Sequence, residues 1–386
     1  MENLINNLND FEKFFLKRIR NLSEDKIAIN ERIRKFYELI VLKENADINA
    51  SINKKSLRRI SIVLTTHCNL KCVWCHREEE HVINSGYLSN KISSNKLKNF
   101  LPQLKGFDVL SWGGLGEPLM NKDIYELSTL AAKYVPIVKT TSNGTTLTKK
   151  NVVKIKNSGL NYLEVSIDGF DSEANQKLRG SDENIIIDNL YELCDQTDLP
   201  LQINSVVSEE NYDSLFFAIE KLKDVKNIVC IHAIPLFMTK HMMSLGIKTL
   251  SKEKFQKLII HWDNEIKKYN LKWELSPNLS DVDFDPVVFM KKKHNICFTP
   301  FEDPTINVDG DIVPCSRLQH IGLSNVFDEG FEKAWNSEKM KNFRLEQLKG
   351  NYGNLCQREC DMKVTCQDST QSRLERLQSI DKSLKT

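Results

Sequence analysis

The chain has 386 residues, with 54 Lys plus Arg against 52 Asp plus Glu, a net charge of +2, and 40% hydrophobic residues. This composition is that of an ordinary soluble globular protein, and the near-neutral balance excludes the basic footprint of a nucleic-acid or acidic-membrane binder. The opening "MENLINNLNDFEKFF" carries acidic residues early and no uninterrupted apolar core, so neither a secretory signal nor a membrane span is expected and a cytoplasmic location follows.

In chain order, residues 1–56 read as a polar extension of one or two amphipathic helices, with Phe11, Phe14, Phe15 and Ile19 on one stripe. Such an extension packs on the main domain or serves as a docking arm for substrate. From 57 to 275, short β-branched runs alternate with helical patterns: "RISIVLTT", "DVLSWGG", "IVKTTSN", "NYLEVSID", "LQINSVV" and "NIVCIHAIP". Alternation at this spacing predicts an α/β fold, a parallel sheet of six strand-helix units curved into a partial (βα)6 TIM-like barrel. In that architecture the loops after the strand C-termini carry function. "THCNLKCVWC", "GGLGEP", "SNGTTL" and "SIDG" all fall there, after the first four strands. Residues 276–370 then read as a small cysteine-rich α+β module, opened by a hairpin pattern around Asp309-Gly310, and 371–386 as a polar tail.

Ten cysteines in a chain expected to sit in a reducing compartment argue for metal or redox chemistry over disulfides. Eight of them fall into two groups. In the first, Cys68, Cys72 and Cys75 lie within eight residues, so three thiolates converge on one side of a short turn. Zinc is the competing reading, with His67 or His76 as a fourth ligand. A zinc knuckle, however, pairs Cys-x2-Cys arms from separate elements, whereas a single three-cysteine loop suits an iron-sulfur cluster with one iron left open. On the following loops, Gly114 and Gly116 permit close backbone approach to a ligand, with Glu117 preceding Pro118. Ser142, Asn143, Ser166 and Asp168 stand at later strand ends, where they hydrogen-bond a ribose or carboxylate, or merely shape the turns.

The cysteine loop, with Trp74 before its third cysteine, resembles the signature of radical SAM enzymes, and "GGLGEP" resembles that family's Gly-Glu-Pro motif. The resemblance implies that Cys68, Cys72 and Cys75 hold a 4Fe-4S cluster whose fourth iron takes S-adenosylmethionine (SAM). Reductive cleavage of SAM then yields a 5′-deoxyadenosyl radical. It further implies that the backbone and carboxylate around Gly114, Gly116 and Glu117 receive the SAM amino group. Arg179 would pair with the SAM carboxylate, Trp74 would wall the adenine, and the segment around Val207 and Asn211 would line it.

The second cysteine group, Cys297, Cys315, Cys356, Cys360 and Cys366, resembles the SPASM/twitch extension of the same superfamily. Four of the five would hold one auxiliary 4Fe-4S cluster, since residues Gln367 to Thr370 supply no further cysteine. Of the remaining two, Cys194 reads as a buried hydrophobe, whereas Cys230 shares a strand face with His232. If that face points into the barrel, Cys230 is placed to donate a hydrogen atom to a substrate radical; otherwise it packs in the core. The resemblance implies a peptide substrate that is oxidised, cross-linked or epimerised, with a sugar or aminocyclitol as the alternative. It also implies a reducing partner such as flavodoxin or ferredoxin.

Overall fold

A computed structural model describes residues 57, 59–236, 238–276 and 299–348. The N-terminal extension, the polar tail and Cys297, Cys356, Cys360 and Cys366 lie outside these residues.

The six expected strands form in their expected places: β1 (Arg59–Val63), β2 (Val109–Gly113), β3 (Ile137–Ser142), β4 (Tyr162–Ser166), β5 (Leu201–Val207) and β6 (Ile228–Pro235). Each pairs in parallel with the next, and the sheet continues past β6 into a short parallel β7 (Glu274–Ser276). The linear strand order, which never returns to its start, makes this an open α/β barrel.

Period-two alternation assigns the two faces. Leu110, Trp112, Val138, Leu163, Val165, Leu201, Ile203, Ile231 and Ala233 are all buried among the apolar stripes of the intervening helices, including Leu127, Val152, Ile186, Leu190 and Leu258. The indole of Trp112 is satisfied there by Ser128 Oγ at 2.8 Å. The opposite, inner face is apolar at its foot, where Val109, Ile137, Tyr162 and Val229 cluster, and again at the rim, where Val206 packs with Trp74. Between foot and rim it is polar.

The C-terminal hairpin forms as read, with β8 (Thr305–Ile306) antiparallel to β9 (Asp311–Val313). Its turn needs Gly310, which has φ +89° and sits where a Cβ would enter the Phe327 ring at 2.2 Å. The hairpin is not a detached module, however. β8 pairs in parallel with β1, and β10 (Ser324–Asn325) pairs with β9, so one sheet of ten strands runs through both parts. Farther along, Arg344 is fully buried and donates to the carbonyls of Pro300 at 2.8 Å and Trp335 at 2.7 Å. It thereby ties the segment that enters the hairpin to the helices that follow it.

Candidate functional site

The cysteine loop leaves β1 through Thr65 and Thr66, whose side chains hydrogen-bond the Asn90 and Tyr87 carbonyls. It closes by a turn in which Cys75 N–H donates to the Cys72 carbonyl at 2.9 Å. The three thiols feel one another electrostatically, yet among the described residues no three His, Cys, Asp or Glu side chains converge tightly enough to hold a metal ion. A cluster several ångströms across takes thiolates spread more widely than one zinc ion does. Burial pushes Cys72 up to about 12 and raises Cys75 as well, so both are protonated thiols at pH 7 in the metal-free chain. Among the described residues neither histidine considered as a zinc ligand joins the thiols in a metal-holding group. His67 is exposed, and His76 Nε2–H donates to the Arg317 carbonyl at 2.8 Å. Burial, and then the nearby Arg317, lowers His76 to about 4, leaving its ring neutral.

The glycine loop lies directly against this turn. A Cβ on Gly116 would stand 2.2 Å from the Thr65 carbonyl oxygen and 2.7 Å from that of His67. Glu117 N–H donates to the same His67 carbonyl at 2.7 Å. The carboxylate of Glu117, expected to receive an amino group, is instead turned into the chain. One oxygen accepts from Asn143 N–H at 2.7 Å and the other from Leu119 N–H at 3.3 Å, and only 2% of the residue is exposed. Burial raises its pKa, against the pull of the Asn143 N–H and the Ser142 hydroxyl. What remains open to a ligand is backbone. Ser142 is likewise committed, accepting from Gly144 N–H at 3.1 Å. Asn143 shapes its own turn through Thr145 and reaches back to Asn69 at 2.9 Å and to the Cys68 sulfur at 4.0 Å.

Asp168 also departs from its expected role. It is completely buried: Oδ1 accepts from Val206 N–H at 2.7 Å, and Oδ2 accepts from Trp74 Nε1–H at 3.1 Å and from the Arg179 guanidinium. Three of its roughly four acceptor directions are thus taken and the residue is fully buried, so its carboxylate positions other groups of the chain. Arg179 ends the helix Ser172–Arg179, which is capped at its start by Asp171 and stopped by left-handed Gly180. The helix end is bonded to the cysteine loop, with Val73 N–H on the Leu178 carbonyl at 2.9 Å and the Cys72 thiol 3.9 Å from the Arg179 carbonyl. Burial opposes the charge on Arg179, but Asp168 outweighs it and raises the pKa, so the guanidinium stays charged. Its Nε–H is buried with no hydrogen-bond partner among the described residues. Trp74 packs with Leu236, Met242, Ile247 and Val206, beside the expected adenine wall; Asn211 there is fully used in bonding Ser208, Asp168 and Val206.

The radical SAM superfamily profile matches residues 62–236, and the iron-sulfur cluster-binding SPASM domain matches 297–361. The chain belongs to the radical SAM superfamily. It is 27% identical over 333 residues to the AdoMet-dependent heme synthase of Methanosarcina barkeri, a match spanning 80% of this chain and 90% of the relative. Its fold is similar to that of Streptococcus suis SuiB bound to S-adenosylmethionine (TM-score 0.60, 17% identity, 85% of this chain and 75% of the other). It is also similar to native anSMEcpe with bound AdoMet (TM-score 0.55, 16% identity, 79% and 87%). The protein is therefore a radical SAM enzyme, using a 4Fe-4S cluster and SAM, with an auxiliary iron-sulfur region in its SPASM domain.

The residues present fit those groups. Among the described residues the buried Arg179 Nε–H has no partner and is available to a carboxylate, and Gly116, with no room for a side chain, lets the glycine loop lie directly against the cysteine loop. Below this rim of the radical SAM barrel, the inner wall is built from Ser111, Lys139, Glu164, Gln202, Asn204 and His232. Lys139 pairs with Glu164, which also accepts from Thr141 at 2.7 Å; Gln202 Nε2 donates to Asn204 at 2.7 Å. The Ser166 hydroxyl, on the same face, makes no hydrogen bond to any described residue. Burial lowers the His232 pKa, so that ring is neutral. Cys230 does face inward, beside Gln202 and Glu274, but four residues below Ile234, or roughly 13 Å along the strand. Sequence reasoning named Cys230 and His232 but passed over Lys139 and Glu164, whose only signal was their even spacing along β3 and β4.

Proposed function

We propose that this enzyme abstracts hydrogen from a C–H bond of a peptide held against the polar inner wall of its barrel. With the cluster and SAM bound, the site supplies one-electron cleavage of the sulfonium and a 5′-deoxyadenosyl radical. Cys68, Cys72 and Cys75 are the residues that would hold the cluster. The backbone of 114–116 would take the SAM amino group and Arg179, oriented by Asp168, its carboxylate. Ser166 would meet the ribose or substrate, and Trp74 would close the adenine side against Val206 and Leu236. Four cysteines, Cys297, Cys315, Cys356 and Cys360, fall inside the SPASM match and Cys366 beyond it, which supports the first four as auxiliary ligands. A flavodoxin- or ferredoxin-type reductant supplies the electron.

The observation carrying the substrate reading is the wall itself. Small neutral donors and acceptors, Ser111, Ser166, Gln202, Asn204 and His232, match the amides of a peptide main chain, and the cation among them, Lys139, is already neutralised by Glu164. SuiB bound to precursor peptide SuiA and anSMEcpe bound to Cp18Cys peptide share the fold. A second reading rests on the near-full-length similarity to an AdoMet-dependent heme synthase, which would place a tetrapyrrole in the barrel. A tetrapyrrole with acidic side chains would need free cations where this wall offers a neutralised one. Anaerobic turnover with side-chain-deuterated peptides encoded beside the gene decides between them. Deuterium appearing in 5′-deoxyadenosine from a peptide supports the proposal; transfer from an iron porphyrin and from no peptide overturns it.

A further inference from the structure

The stretch Ser316 to His320 follows β9 and Cys315 and lies outside every motif read in the sequence. It crosses from the SPASM region to the rim of the barrel and is bonded to both halves of the SAM site. On one side the Arg317 carbonyl accepts from His76 Nε2–H at 2.8 Å, next to Cys75, and the His320 ring lies 5.4 Å from that of His81. On the other, Gln319 reaches into the glycine loop, where its Oε1 accepts from Leu115 N–H at 3.2 Å. Leu115 stands between Gly114 and Gly116, the backbone assigned above to the SAM amino group.

Gln319 is held from three directions. Its Nε2 donates to the Ser316 carbonyl at 2.7 Å, its own carbonyl accepts from Asn307 Nδ2 at 3.0 Å, and only 3% of it is exposed. Gly114 fits the contact: with φ +116°, a Cβ there would meet Val63 at 2.6 Å and Gln319 Oε1 at 3.0 Å. The glycine loop is thus clamped between Thr65–His67 of the cysteine loop and Gln319 of the SPASM side, and Leu115 N–H has its acceptor from the latter.

We propose that Gln319 is a positioning residue through which the docked SPASM region fixes the SAM-binding backbone at 114–116. This rests on the assignment of that backbone to SAM. Without the Gln319 acceptor a buried N–H is left unsatisfied, and the peptide unit that should face SAM turns to find another partner. A SAM site formed by the barrel alone is therefore loose, and docking of the hairpin on β1 completes it.

The test uses full-length protein reconstituted anaerobically with iron and sulfide, with three readouts: the SAM dissociation constant, iron content, and the change SAM causes in the EPR spectrum of the reduced protein. Gln319→Met keeps the bulk and removes the acceptor; it is expected to weaken SAM binding about tenfold, equal to about 1.4 kcal/mol, with iron content unchanged. Gln319→Glu is expected to bind SAM within about twofold of wild type, because a buried glutamic acid holds its proton and keeps both an acceptor and a donor. Wild-type affinity in Gln319→Met overturns the proposal, as does equal weakening in both variants. Should Gln319→Met lose iron, Gln319→Glu decides: retained affinity supports the role and lost affinity overturns it. Cys72→Ala separates the underlying assignment, since a SAM-dependent EPR change surviving in that variant refutes the site itself, whatever Gln319 does.

Discussion

Arg179 and Asp168 form an ion pair inside the site, with side chains only 10% and 1% exposed, and the same carboxylate holds Trp74 and the β5 backbone at Val206. One buried charge thus orients a cation, an aromatic wall and a strand end. Removing one partner of such a pair typically costs about 3–5 kcal/mol, because the other charge stays buried alone. Asp168→Asn is expected to lower the melting temperature and to weaken SAM binding at least tenfold in anaerobic titration. Unchanged SAM affinity would show that Arg179 needs no orientation from Asp168.

Cys72→Ala is expected to abolish reductive formation of 5′-deoxyadenosine while the SPASM-bound iron remains. Iron and sulfide should then fall by about half from a wild-type content of about eight each per chain, the sum for two 4Fe-4S clusters. Cys366→Ala should leave both counts at the wild-type level. Loss of iron on removing Cys366, with none on removing Cys360, would reverse the assignment of the auxiliary ligands.

Much of this was legible from sequence because strands and motif loops are local. β-branched runs such as "RISIVLTT" and "NYLEVSID" announce themselves by composition, and Cys68, Cys72 and Cys75 by spacing. Roles that depend on which way a side chain turns were not. Glu117 and Asp168 stand in motifs expected to touch a ligand, yet the folded chain spends their carboxylates on Asn143, Leu119, Arg179, Trp74 and Val206. The pairing of β8 with β1 was equally hidden, since a two-residue strand leaves no periodicity to read and its partner lies more than 240 positions earlier. Gln319 belongs to the same class: its meaning comes from Leu115, 204 residues away.

Cys230 is a thiol at pH 7, burial having pushed it up to about 12, so it has a hydrogen atom to give. Its depth argues against using it: a substrate radical formed near the rim lies two layers of side chains above. Cys230→Ser is expected to leave both SAM cleavage and product formation within about twofold of wild type, corresponding to about 0.4 kcal/mol. Normal SAM cleavage with loss of product, followed by mass spectrometry, would instead place the substrate carbon beside this thiol.

The Lys139–Glu164 pair predicts acid sensitivity. Burial by itself would raise the Glu164 pKa, but Lys139 and the Thr141 hydroxyl more than compensate and hold it below the ordinary value. A depressed carboxylate adds stability above its unfolded pKa of about 4.3 and loses it as pH falls through the folded value. Melting temperature should therefore drop more steeply below about pH 4.3 in wild type than in Glu164→Gln, which begins lower at pH 7. Parallel profiles for the two proteins would mean that the pair contributes nothing to folding.

Gly116→Ala tests the clamp on the glycine loop. The added Cβ meets backbone, the Thr65 carbonyl at 2.2 Å and that of His67 at 2.7 Å, so no side chain can swing aside. Either the 114–117 loop lifts off the cysteine loop or the cysteine loop itself shifts, and the Glu117 N–H bond to His67 is lost in both cases. Gly86→Ala is the control: that glycine has φ +73° with nothing within 4 Å of the new Cβ, so the left-handed backbone alone costs about 1–2 kcal/mol. Gly116→Ala should lose SAM binding and retain less cluster iron, while Gly86→Ala should show only a lowered melting temperature. If Gly116→Ala bound SAM like wild type, the loop could not be the close-fitting backbone that holds the SAM amino group.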